Sequence, residues 1–198
     1  MNPKGVFIDM LEHFAYVLHL TIEDLPIEAM KWQPDPEANN ISVTTWHICR
    51  ALDVLKVKII ENKPDENQLW YKEGWAIKTT YDPAGLGAHG FGNLAGYTLE
   101  QVKEVPLLSA EESLEYFDQV YEALRGYLRN VKVEGLEEPP TGWPRTPGKT
   151  SPESIYDVLI MFLMDNREHL GEIKAIKAMW NRKCEKGSLQ SAQADELS

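Results

Sequence analysis

Apolar residues recur at helical spacing in four long stretches of the chain, with proline-rich or polar segments between them. From Gly5 to about Thr21, the residues Val6, Met10, His13, Val17 and Leu20 share one side of a helical wheel, which predicts a first helix buried along that stripe. Asp24-Leu25-Pro26 breaks it, and a helical turn through Glu28 and Met30 follows before Pro34 and Pro36. Ser42 offers an N-cap for a second helix, which should run to about Asn62, ahead of Pro64. A third begins at Ser109, where Glu112 has capping-box spacing, and continues to about Asn130. Ser151, with Pro152 at the first helical position, opens a fourth that should reach about Trp180.

No segment alternates as a strand does, so the expected fold is all-α: a four-helix bundle forming a single domain over residues 1–182, with 183–198 as a flexible tail. The roughly 45 residues between the second and third helices are too many for a plain connection. They carry Trp70, Trp75, Tyr81, His89 and Tyr97 and predict a partly irregular cover over one end of the bundle, with one short helix after Thr98. Trp70, Tyr71 and Trp75 read as a local core; a pocket beneath them for an apolar small molecule is the other reading. Pro139 to Pro147 should wrap the second long connection. Gly85-x-Gly87-x-x-Gly90 matches a dinucleotide fingerprint only as letters, because no buried strand precedes it and no helix follows. It reads instead as a mobile glycine-rich lid bearing His89.

Charge narrows the function classes. Lys and Arg number 20 against 31 Asp and Glu, a net charge of −11 in 198 residues. Nucleic-acid binding and attraction to an anionic membrane both draw on clustered cations, so neither is expected. Cys49 and Cys184 are too few for a disulfide framework or a four-thiolate zinc site. The N-terminal residues interrupt their apolar run with Asp9 and do not read as a signal peptide, and no apolar run approaches a membrane span. The expectation is a soluble, cytoplasmic protein.

The candidate chemistry lies on the fourth helix. At 100° per residue, Val158, Phe162, Asp165, His169, Ile173 and Ile176 fall within an arc of about 80°. Asp165 and His169 then stack one turn apart on the apolar stripe, where an uncompensated carboxylate is costly. His47 on the second helix shares its face with Val43, Ala51 and Val54 and should point inward to meet them. Two imidazoles and one carboxylate from facing helices suit an open divalent-metal site, with water in the remaining positions. Glu172, three residues past His169, could orient a ligand or act as a base on bound water. The plainer alternative makes Asp165 one half of a buried ion pair with a histidine. His13 and His89 are additional candidates for the site, while His13 also fits as a core residue and His19 falls on the polar side. Cys49 lies about 200° around the helix from His47 and is poorly placed to share a ligand set.

Trp46-His47-Ile48-Cys49-Arg50-Ala51 and His169-Leu170-Gly171-Glu172-Ile173 resemble the two landmark stretches of the DinB-like superfamily. The segment Leu25 to Ile41 resembles the lead-in to that family's second helix, and the order of elements is similar over roughly residues 5 to 180. The resemblance implies an up-down-down-up four-helix bundle, usually dimeric, with a divalent metal held by three histidines. His47 matches the ligand from helix two, and His169 matches the second member of the His-x-x-x-His pair on helix four. Asp165 stands where the first member of that pair is expected, and Glu172 where the family has Gln. Such a set is retuned towards two histidines and a carboxylate, or the site is lost. Zinc or nickel heads the metals the resemblance implies, with manganese or iron as alternatives. Characterised members of the family transfer low-molecular-weight thiols such as bacillithiol or mycothiol, isomerise with mycothiol, or form part of sulfoxide-forming thiohistidine synthases. The function expected from both lines is metal-dependent thiol transfer to an electrophile, or metal-dependent hydrolysis, by a homodimer acting on a small molecule. A non-catalytic binding or scaffold protein with a degenerate site is the alternative.

Overall fold

The computed structural model describes residues 3–144 and 151–195. The end of the expected proline-rich wrap and the last residues of the expected tail lie outside them. Four long helices enclose a common core: α1 (Pro3–Ile22), α3 (Ile41–Val54), α7 (Ala110–Asn130) and α9 (Ile155–Asp195). Both α1 and α3 pack on α7 and on α9. Among the described residues there is no strand.

Local chemistry sets the boundaries. The Ser109 hydroxyl accepts the Glu112 amide while the Glu112 carboxylate accepts the Ser109 amide, the reciprocal cap expected for α7. α3 is capped two residues earlier than expected, because the Asn40 side chain accepts the Val43 amide at 2.8 Å. Ser42 is buried instead and exchanges hydrogen bonds with the backbone of Leu108. α3 continues into a π-helical segment, Leu55–Ile60, so the helix ends close to its expected limit. α9 starts at Ile155 rather than at Ser151: Ser154 and Asp157 form a reciprocal cap, which satisfies more amides than Pro152 at a first position would. Its helical backbone continues to Asp195, past the expected end at Trp180, through residues of good helix propensity such as Arg182, Lys183, Glu185 and Lys186.

The buried face of α1 is not the expected one. Phe7, Leu11, Phe14, Leu18 and Ile22 enter the core, whereas Val6, Met10 and Leu20 are exposed. The helix is apolar on two faces, and the bulkier one fills the core. By length and composition Lys4–Ile22 would reach a membrane-span threshold, contrary to expectation, but one of its faces packs into the protein core.

Between α3 and α7 lie α4 (Leu69–Lys72), α5 (Trp75–Thr79) and α6 (Leu99–Lys103), where one short helix is expected; α6 is that helix, following Thr98 and capped by it, and α4 and α5 are additional. Trp70 and Trp75 are buried against Trp46 and Tyr116, a local core as expected rather than a ligand cage. The short helix α2 (Ile27–Lys31) follows Pro26, and α8 (Val133–Leu136) follows α7.

Candidate metal centre

His47 projects from the middle of α3, a helix buried along its whole length. Its Nδ1 meets the backbone carbonyl of Asn93. A carbonyl only accepts, so Nδ1 carries the hydrogen and the Nε2 lone pair faces away from it. His169 on α9 is held in the same manner: its Nδ1 donates to Glu172 Oε2 at 2.8 Å. The two Nε2 atoms therefore converge, and they lie 3.0 Å apart. Asp165 completes the group, with its oxygens 3.8 Å from His47 Nε2 and 3.6 Å from His169 Nε2. One ligand atom from each of His47, Asp165 and His169 falls within 4.8 Å of the others.

The donors are not equally buried. The Asp165 side chain is 51 % exposed, so it sits at the rim and not on the core stripe expected for it. The core line of α9 is rotated towards Leu159, Leu163, Asn166 and Leu170, and the buried polar residue there is Asn166. That rotation removes most of the cost that a carboxylate in the core would carry.

Electrostatics divide the imidazoles. Burial, helped by the neighbouring His169, holds the His47 pKa below the usual histidine value, and the contacts to Asn93, Asp165 and Glu172 offset this only in part. His169 is pushed up to about 9, first by Asp165 and also by Glu172, against the pull of partial burial. Asp165 is lowered in turn, chiefly by His169. At neutral pH, without a metal, His169 is the imidazolium and its Nε2–H donates to the His47 lone pair. The cluster thus holds one exchangeable proton at the point where three donors meet.

A cavity of about 730 Å³ opens onto these residues. Phe91, Trp143, Met161, Phe162 and Met164 give it an apolar wall, and Glu168 and Asn93 add polar groups. His89 also lines it but lies outside the three-donor group; it is exposed, with φ of +57°. His13 lies elsewhere, in a second groove with Asp9, Met10, Met164 and Arg167. Glu172 lies at the outer nitrogen of His169, hydrogen-bonded to Nδ1. His19 pairs with Asp118 at 2.8 Å on the surface.

The glycine-rich segment, expected as a lid bearing His89, lines the cavity. Its backbone is bonded internally, Ala88 N–H to Ala95 at 2.7 Å and Gly92 N–H to Leu86 at 3.0 Å. Gly87 and Gly92 adopt left-handed φ, and a Cβ on either would lie 2.3 Å from a backbone oxygen, of Ala95 or Pro83. The segment forms one wall of the cavity, and it delivers the carbonyl that meets His47 Nδ1.

A family model for the DinB superfamily matches residues 10–173. The chain belongs to the DinB superfamily. Among curated proteins no relative matches this DinB chain. A solved structure, described as the conserved protein of locus from Enterococcus faecalis, is similar to it with a TM-score of 0.70. The two are 17 % identical over 89 % of this chain and 96 % of the other, a likeness that speaks for the all-α DinB fold.

Proposed function

We propose that this DinB-superfamily protein binds a divalent metal through His47, Asp165 and His169 and transfers a low-molecular-weight thiol to an electrophile, with hydrolysis as the variant in which water takes the place of the thiol. The observation that carries the reading is the outer hydrogen bond on each histidine. Asn93 and Glu172 occupy the Nδ1 positions, which leaves both Nε2 atoms aimed at one point. Donors bound to a tetrahedral ion at about 2.0–2.1 Å are about 3.3 Å apart, close to the spacing found here. Two nitrogens and one oxygen suit zinc or nickel, and also manganese or iron. A metal held there would lower the pKa of a bound thiol or water towards neutrality.

The chain's own groups supply the rest. Asp165 neutralises part of the ion's charge, and Glu172 keeps His169 in register. The apolar wall excludes water from the body of a small substrate, while the buried and unpaired Oδ1 of Asn93 suits a donor on it. In transfer, the thiol sulfur bonds to the electrophilic carbon as the leaving group departs, and the thiol proton passes to solvent.

Self-association belongs to the same proposal. Val6, Met10 and Leu20 on α1 and Ile160 and Met164 on α9 leave an apolar face uncovered. Asp9 and Arg167 border its groove with opposite charges, as a two-fold symmetric contact with a second copy would use.

A second reading rests on the imidazolium: Asp165 beside a protonated His169 is also an ion pair that needs no metal. Asp165→Asn separates the two readings. As a ligand, Asp165 gives way to Asn with weaker zinc or nickel binding by calorimetry and little change in unfolding. As a structural partner, it gives way with a loss of stability and no metal binding in either protein.

A further inference from the structure

We infer that Arg50 is a positioning residue for the His47 centre, holding the carbonyl segment that fixes the His47 tautomer; the inference rests on the metal-site reading above. Arg50 lies one turn after His47 on α3, and its side chain is 1 % exposed. Its Nε donates to the Gly92 carbonyl at 3.1 Å. The next carbonyl along that backbone, Asn93, is the one that receives His47 Nδ1. Both carbonyls come from one short stretch of unusual backbone, with Gly92 at φ +62° and Leu94 at φ +82°. A non-glycine residue at such a φ is strained and persists only where its surroundings determine it. Arg50 is part of that determination, and Lys58 adds a further tie to the Gly90 carbonyl at 3.3 Å.

Arg50 is itself held in place. Its guanidinium lies beside the Trp70 ring, with Nη1 3.5 Å from Asp53. Asp53 Oδ1 accepts the Leu69 amide, and Oδ2 accepts the Trp70 amide and the Tyr116 hydroxyl, each at 3.0 Å. An unbroken chain of contacts thus runs from α4 and α7 through Asp53 and Arg50 to Gly92, Asn93 and His47. A buried ion pair is poor material for stability alone, since apolar residues of similar volume serve as well or better. What an apolar residue cannot do is hold the Gly92 carbonyl. With that carbonyl released, the Asn93 carbonyl can turn from His47, and the hydrogen can then move to Nε2, where it blocks metal binding.

The test is the ring nitrogen spectrum of His47 in full-length, metal-free protein, with His169→Ala beneath each variant so that no hydrogen from His169 holds the His47 lone pair, paired with zinc affinity measured with His169 in place. Wild type is expected to show His47 as the Nδ1–H tautomer; a predominant Nε2–H form there would overturn the inference without any variant. Arg50→Lys keeps the charge opposite Asp53, but a single nitrogen cannot serve Asp53 and Gly92 from the guanidinium's two positions. It should remain folded, show a mixture of His47 tautomers and bind zinc about 10-fold or more weakly, as outer-sphere changes do. Arg50→Met should move both readouts further in the same direction. A folded Arg50→Lys with an unchanged tautomer and a zinc affinity within about twofold of wild type would contradict the inference. If wild type binds no zinc, the metal reading fails, and the tautomer comparison still decides what Arg50 does.

Discussion

Two charged clusters occupy successive turns of α3 and end in opposite states. Arg50 and Asp53 are closed: both side chains are 1 % exposed, and both oxygens of Asp53 are taken by Leu69, Trp70 and Tyr116. His47 is open. Its outer nitrogen is occupied, its inner lone pair faces His169 and Asp165, and a cavity lies over all three. The Asp53 carboxylate of the closed cluster has both oxygens engaged within the protein, although Arg50 Nη1 has no hydrogen-bond partner, whereas the Nε2 atoms of the open cluster meet beside Asp165 at the cavity. Burial and polarity alone would not separate them; the direction of the remaining lone pairs does.

The sharpest way to break this comparison is to damage each cluster and watch different readouts. Asp53→Ala strands the Arg50 charge in the core and should cost about 3–5 kcal/mol in denaturant unfolding, whether or not metal is present. His169→Ala should abolish metal retention, read by elemental analysis, while far-ultraviolet circular dichroism shows the helices intact. Glu172→Gln keeps a hydrogen-bond acceptor beside His169 but removes its charge, and should weaken metal binding by about tenfold in calorimetry.

Acidity sharpens the same contrast. The folded value of His169, about 9, lies above the 6.5 of a free imidazole. The metal-free protein therefore holds this contribution to stability in full below pH 6.5 and loses it as the pH rises through about 9, a modest drift in melting temperature. Metal binding runs the other way. The ion must displace the proton, so apparent affinity should climb about tenfold per pH unit until the pH reaches that value. Flat affinity across that window would place the bound metal elsewhere.

Much of this was legible along the chain. The cap at Ser109, the short helix after Thr98, the order of the four long helices and the grouping of His47, Asp165 and His169 all follow from local pattern and spacing. The two errors of helix face share a cause: periodicity reports that faces exist, not which face is buried. On α1 two apolar stripes compete, and the one with Phe7, Leu11 and Phe14 wins the core. On α9 a modest rotation of the core line puts Asn166 inside and leaves Asp165 at the rim. The Arg50–Asp53 pair escaped notice because α3 is buried on every side and has no polar face to expose it. Its signal was the isolation of one Arg and one Asp, three residues apart, in an otherwise uncharged stretch around His47. The role of Asn93 was not legible at all, since a backbone carbonyl carries no mark in a sequence.

The most direct test of the open cluster is elemental analysis by mass spectrometry on untagged protein purified without chelator. The account predicts about one equivalent of zinc, nickel, manganese or iron per chain, lost in His169→Ala. Less than about a tenth of an equivalent, unchanged after reconstitution with each metal, would contradict it and leave Asp165 as a structural partner of two histidines.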